Sequence, residues 1–206
     1  MVGKDCSNLK ETLLKRLITS YLQRPRIRVS KNYKIKQENK KMAIIPKRYE
    51  DADIEKVSKV LQDAIRDSKE KQGMGIFMFG STGTGKTYTL YAISKKYDIK
   101  VESWIDIMED MKSRMSNNQS VGDMIDNLTS EKCLAIDDIG AENQTNYSQE
   151  KFYMIINRMY NKMSRVFLST NLTLEQFQTK YGERLFSRIA EMCEIVELTG
   201  EDKRIN

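Results

Sequence analysis

Apolar residues recur along this chain with two different periods. Leu9, Leu13, Leu14, Leu17, Ile18, Tyr21 and Leu22 fall on one face of a helix that Ser7 caps and Pro25 stops. Further on, Ile54, Val57, Val60, Leu61, Ala64 and Ile65 describe a second amphipathic helix, with Asp51 or Asp53 near its start. Gly75–Phe79 is a short apolar run of strand length, and Leu90, Ala92 and Ile93 give the next segment the apolar side of a helix. The alternation continues. Ile99 to Ser103 reads as a strand, and Trp104 to Met115 as a helix with Met108, Met111 and Met115 turned to the core. Val121, Met124, Ile125 and Leu128 mark a short helix, and Lys132 to Ile136 a strand. Ser148 is expected to cap a long helix carrying Phe152, Ile155, Ile156, Met159, Tyr160 and Met163 on one face. A fourth strand runs from Arg165 to Ser169, Thr173 and Gln176 form a capping box for a short helix, and another helix enters at Gly182. Glu194 to Leu198 alternates as a last strand.

Strands alternating with helices predict an α/β three-layer sandwich with a mostly parallel, five-stranded sheet. A chain of 206 residues is long enough for one medium domain and an arm. The division expected is an arm over residues 1–48 and a nucleotide-handling domain over 49–206. Composition is polar, 39% hydrophobic and 31% charged, without an apolar run long enough for a membrane span and without a secretory h-region. Reduced cytoplasm is the compartment this composition suits. Histidine is absent, which excludes Ser–His and Cys–His catalysis, and Cys6, Cys133 and Cys193 lack metal-ligand spacing. Cys133 and Cys193, each among apolar neighbours, are expected to be buried packing.

Charge is unevenly spread. Residues Arg24 to Arg48 hold ten basic side chains against Glu38 alone, a net +9, so the rest of a chain of net +6 sums to −3. Lysines interleaved with Tyr33 and Ile35 suit a nucleic-acid backbone or a solvated linker. The preceding helix either folds back on the domain or docks on a partner.

The chemistry concentrates after the first expected strand. Gly80-Ser81-Thr82-Gly83-Thr84-Gly85-Lys86-Thr87 meets every fixed position of the P-loop pattern. Glycines let successive backbone amides point inward at phosphate oxygens, Lys86 reaches the β- and γ-phosphates, and the Thr87 hydroxyl ligates Mg²⁺. The helix that opens there adds its positive end, and Tyr88 is counted with the nucleotide-binding residues. Some fifty residues later an apolar strand ends in Asp137-Asp138, the form of a Walker B element. Asp137 is expected to hold Mg²⁺ through water and Asp138 to orient the attacking water, with Glu142 in reserve. The loop, the two acids and Asn171 all follow strands, so they are expected to meet at one edge of the sheet.

This ordered set is similar to that of the DnaC/DnaI-type helicase loaders, AAA+ ATPases close to the IstB transposition helpers. The resemblance rests on Gly80 to Thr87, Ile136-Asp137-Asp138-Ile139-Gly140-Ala141-Glu142, Ser169-Thr170-Asn171 and Gly182 to Ile189, and covers residues 45 to 206. It implies that Asn171 is a sensor of the γ-phosphate or attacking water. It implies that Arg188 acts in trans on a neighbouring subunit's ATP, with Arg184 as the alternative. The family's activity would be ATP-driven loading of a replicative hexameric helicase onto single-stranded DNA, by a homo-oligomer formed with ATP and Mg²⁺. Two other functions stand beside it: a transposition helper on duplex DNA, and a nucleotide-switched adaptor with negligible hydrolysis, which the shorter Asp138 in a position often held by glutamate motivates. The chain ends within a few residues of the fifth strand, so no lid helix is expected.

Overall fold

The computed structural model describes residues 45–70, 74–142 and 145–203. The expected helix from Ser7 to Arg24 and nearly all of the basic arm lie outside these residues. Every described residue belongs to the compact unit Asn39–Asn206.

A lead-in with short 3₁₀ turns at Lys47–Tyr49 and Ile54–Lys56 precedes helix α1 (Lys59–Glu70). There follow β1 (Gly75–Phe79), α2 (Lys86–Tyr97), β2 (Val101–Ser103), α3 (Trp104–Ser116), α4 (Val121–Leu128) and β3 (Cys133–Ile139). The chain continues through α5 (Asn146–Asn161), β4 (Arg165–Thr170), α6 (Leu174–Tyr181), α7 (Glu183–Met192) and β5 (Cys193–Glu197). The strands pair in the order β2-β3-β4-β1-β5, and every pairing is parallel.

Strand side chains alternate between two apolar cores, as the two-residue period of a strand requires. Ile76, Met78, Ala135 and Phe167 face α1, α2 and the lead-in. Phe77, Leu134, Ile136, Val166 and Leu168 face α3 to α7 on the other side. There Phe152, Phe177 and Tyr181 pack with centroids 4.7 to 6.3 Å apart, and Trp104 meets Phe152 edge-on at 5.1 Å. The two cores pin β1, β3 and β4, and so fix the carboxyl edge where the polar motifs emerge.

Several local expectations shift. Asp53 caps the 3₁₀ turn, accepting from the Glu55 N–H, and α1 begins only at Lys59. Val60 is then off the core stripe and 66% exposed. Met108 and Met111 are buried as expected, but Met115 is exposed on the last turn of α3. Met163 lies beyond the end of α5 at φ +52°, exposed. Thr145, not Ser148, is the N-cap of α5, and Ser148 is the reciprocal member of the capping box. Cys193 is buried, whereas Cys133 is half-buried. Gly182 closes α6 and opens α7 at φ +85°, a conformation that favours glycine and turns the chain between two helices without a linker.

Candidate functional site

The P-loop joins β1 to α2, as its sequence demands. Gly80, Gly83 and Gly85 all take positive φ. Lys86 opens α2 almost fully buried, and its ammonium donates to the carbonyls of Gly80 (2.8 Å) and Ser81 (2.6 Å). Thr84 is also buried and its hydroxyl donates to Ser81 O at 2.9 Å, tightening the turn. Thr87 lies in the first turn of α2, and its hydroxyl is near enough to Asp137 of β3 to favour that carboxylate's charged form. The loop and the first acid therefore meet.

Two successive residues of a regular strand point to opposite faces. Here the β3–β4 register slips between Ile136 and Ile139, and Asp138 takes φ +52°. The irregularity frees both acids from strict alternation. Asp138 adopts a left-handed conformation that aspartate tolerates better than most residues, at a cost of about 1–2 kcal/mol. Ser169, fully buried on the neighbouring β4, fastens the bulge: its hydroxyl donates to Asp137 Oδ1 and accepts from the Asp138 N–H at 3.2 Å. Thr170 Oγ1 donates to Ile139 O at 2.6 Å and closes the far side. Beyond β4, Asn171 Nδ2 donates to Asp138 Oδ1 at 3.4 Å.

Asp137 is 6% exposed. Burial pushes its carboxyl above the ordinary value, and the adjacent Asp138 charge adds to the effect. Hydrogen bonds from Ser169 and Thr87 oppose it. A buried carboxylate beside hydroxyls and a second acid is a donor set that suits Mg²⁺. Such an ion uses one or two carboxylates and completes its shell with waters and phosphate oxygens. Among the described residues there is no cluster of three or more His, Cys, Asp and Glu that would cage a metal without a ligand. The residues present therefore fit Mg²⁺ accompanied by a phosphate chain.

Glu142 stands apart from this group. Its carboxylate is paired with Lys180 at 3.0 Å, accepts from Tyr181 OH at 2.9 Å and from the Gly140 N–H at 3.0 Å, and is 7% exposed. Lys180 also donates to the carbonyls of Gly140 and Glu142. Burial and the Glu142 charge push the Tyr181 hydroxyl up, so it stays a donor. Glu142 is a fully paired joint between β3 and α6, and does not serve as a reserve for Asp138.

A cavity of about 620 Å³ is lined by Asp138, Asn171, Lys86 and Thr87 and by the lead-in and α1, where Tyr49, Val57 and Leu61 offer apolar surface. The volume is in the range of small-molecule sites. The turn after β5 also reaches the P-loop. Leu198 N–H donates to Phe79 O at 2.8 Å and Lys203 N–H to Gly83 O at 3.2 Å. A Cβ on Gly83 would lie 2.0 Å from Asp202 Oδ1 and 2.7 Å from Asp202 Cα. Gly83 is needed twice, for its φ of +82° and for the close approach of the turn. Tyr88 lines the cavity, but its hydroxyl turns to the lead-in and bonds Asp51 O and the Asp53 N–H.

Arg188 is elsewhere, on α7. Its guanidinium lies over the rings of Tyr153 (5.3 Å) and Tyr160 (5.6 Å) on α5, and donates to Arg184 O at 3.2 Å. Its Nε is buried without a hydrogen-bond acceptor. Arg184 is exposed, with its guanidinium 5.7 Å from the Tyr153 ring. Both arginines keep their charge on the α5–α7 face of this chain.

Sequence reasoning missed the part played by Ser169 and the bulge. The one available signal was a hydroxyl residue ending an apolar strand that neighbours the acidic one.

A five-stranded parallel sheet, a P-loop after β1 and paired acids at the end of β3 define a P-loop NTPase of the AAA+ class. The model of the IstB-like ATP binding protein family matches residues 8–206, and the chain belongs to that family. It is 23% identical over 151 residues to the replicative helicase loader DnaI of Bacillus subtilis (strain 168), covering 65% of this chain and 48% of that protein. It is 28% identical over 120 residues to the replicative helicase loader DnaC of Escherichia coli (strain K12), covering 55% and 49%. The chain thus spans about half the length of these curated relatives. In fold it resembles a crystal structure of the DnaC helicase loader (TM-score 0.64, 24% identity, 75% of this chain and 100% of that one). It also resembles the replication initiator DnaA bound to AMPPCP and single-stranded DNA (TM-score 0.63, 23% identity, 75% and 51%). Among the described residues no helix is long and apolar enough to cross a membrane.

Proposed function

We propose that this chain is a Mg²⁺-dependent ATPase that uses its nucleotide state to load a replicative hexameric helicase onto single-stranded DNA. The observation that carries the reading is the meeting of Lys86, Thr87, Asp137, Asp138 and Asn171 at one sheet edge. In this reading the amides of Gly80 to Thr87 cradle the phosphate chain, and Lys86 exchanges its loop carbonyls for β- and γ-phosphate oxygens. Thr87 and Asp137 hold Mg²⁺, which when bound neutralises charge on those oxygens. Asp138 orients the attacking water and accepts its proton's hydrogen bond, while Asn171 fixes the Asp138 carboxylate and meets the water or the γ-phosphate. Arg188 supplies positive charge to a neighbouring subunit's ATP, for which it must leave Tyr153 and Tyr160. Arg184, already exposed, is its alternative.

The helicase part of the proposal draws on the DnaI and DnaC relatives. Steady ATP turnover should rise with single-stranded DNA, and a replicative helicase should be captured with ATP. Arg188→Ala should keep ATP binding and lose turnover; normal turnover in that variant would exclude a trans-acting Arg188. The family description favours a second reading, a transposition helper. Preference for duplex over single-stranded DNA, with no helicase captured, would replace the first reading by it. Turnover that Asp138→Ala abolishes would exclude a non-hydrolysing adaptor.

A further inference from the structure

The outer face of α2 carries Tyr88, Tyr91 and Lys95 at positions i, i+3 and i+7, which share one side of a helix. All three side chains grip the lead-in. Tyr88 OH donates to Asp51 O at 3.0 Å and accepts from the Asp53 N–H at 3.3 Å. The Tyr91 ring stacks on Tyr49 with centroids 4.5 Å apart and planes 16° from parallel. Lys95 Nζ donates to Glu50 O at 2.8 Å. Two of these three contacts are to main-chain atoms, so they position the backbone of the lead-in whatever its side chains are.

The same lead-in walls the nucleotide cavity. Arg48, Tyr49, Asp51 and Val57 of the lead-in line it, as do Asp138 and Asn171. A triphosphate laid along the P-loop with its γ-phosphate at Asp138 and Asn171 leaves its base and sugar to the lead-in wall. α2 therefore holds the phosphate end through its first turn and the nucleoside end through its outer face.

We propose that Tyr88 is a positioning residue for the nucleoside half of the ligand. Its hydroxyl locks the Asp51–Asp53 backbone in place as the wall against which base and sugar pack, without touching the phosphate chain. The proposal rests on the nucleotide-binding reading and goes beyond it. It also reassigns Tyr88 from a ligand contact to a clamp.

The test is calorimetric titration of the full chain with Mg-ATP and, separately, with Mg-tripolyphosphate. Tyr88→Phe keeps the ring and removes a donor and an acceptor. ATP binding should weaken about five- to tenfold, as loss of two ordinary hydrogen bonds implies, with tripolyphosphate binding changed less than about twofold. Lys95→Met, which removes only the Glu50 tether, should show the same selectivity at about two- to threefold and covers the case of a Tyr88→Phe chain that does not fold. Equal weakening toward both ligands, or none toward either, overturns the proposal. A wild-type chain that bound neither ligand would refute the nucleotide reading itself, which separates the two failures.

Discussion

Two acidic corners lie at the carboxyl edge of the sheet, a few residues apart in sequence, and they are built on opposite principles. Glu142 is buried with its counter-charge, Lys180, and with hydrogen bonds from Tyr181 and Gly140. Asp137 is buried too, but it faces the Ser169 and Thr87 hydroxyls and a second acid, Asp138. One corner is electrically complete. The other sets two neighbouring acids beside hydroxyls at the mouth of the P-loop, an arrangement that suits an incoming cation. Burial of a carboxylate alone does not mark function; the manner in which its charge is met does.

Breaking the complete corner should have the largest energetic effect. Lys180→Met leaves Glu142 buried and uncompensated, which should cost about 3–5 kcal/mol. Chemical denaturation should show it as a lower midpoint at unchanged slope. Glu142→Leu combined with Lys180→Met should recover most of the loss, because two apolar side chains replace the pair. A single variant as stable as wild type would show that the pair contributes nothing.

The incomplete corner should respond in activity. Asp137→Asn should lower Mg²⁺-dependent ATP turnover by about a hundredfold or more. Its melting temperature without nucleotide should be equal to or above wild type, since a buried carboxyl next to a second acid loses its charge. A clear drop in stability would place Asp137 with Glu142 as a structural acid. Ser169→Ala is intermediate: it removes the hydroxyl that orients Asp137, and should weaken Mg²⁺ dependence about tenfold, read as a shift in the Mg²⁺ concentration for half-maximal turnover. An unchanged midpoint would show that Asp137 needs no orienting partner.

The smallest effect is on pH dependence. The folded state holds the Asp137 proton more tightly than the unfolded chain, whose carboxyl has the ordinary value of 3.8. Stability without Mg²⁺ therefore falls as pH rises from that value through the raised folded one, and levels off above it. Asp137→Asn should flatten that part of the curve. An identical profile in both chains would contradict the raised folded value.

What the sequence made legible follows from where each requirement is encoded. The P-loop is a local backbone demand written in consecutive residues, so Gly80 to Thr87 were assigned from spacing alone. The sheet order places the motifs at one edge for the same reason that parallel α/β sheets generally do. The β3 bulge was not legible, because Asp138 takes its left-handed backbone through a serine on another strand. Glu142 looked like a spare catalytic acid until Lys180 and Tyr181, about forty residues on, were brought against it. Val60 and Met163 differ from expectation because α1 begins only at Lys59 and α5 ends at Asn161, while Met115 stays within α3 but on its exposed last turn, since periodicity reports a stripe better than its ends. The Thr145 cap is hard to read from sequence because its capping partner is a serine, not the usual glutamate or glutamine.

The close seat of Asp202 on Gly83 has a consequence for how this sequence is free to vary. Gly83 occupies one of the four variable positions, 81 to 84, of the general P-loop pattern, so drift at position 83 would ordinarily be tolerated. In this chain any side chain at 83 collides with the turn at 202, nearly 120 positions later. The two sites should therefore change together among close homologues: a larger residue at 83 should appear only where the turn has been rebuilt, making the pair a mutual record of descent.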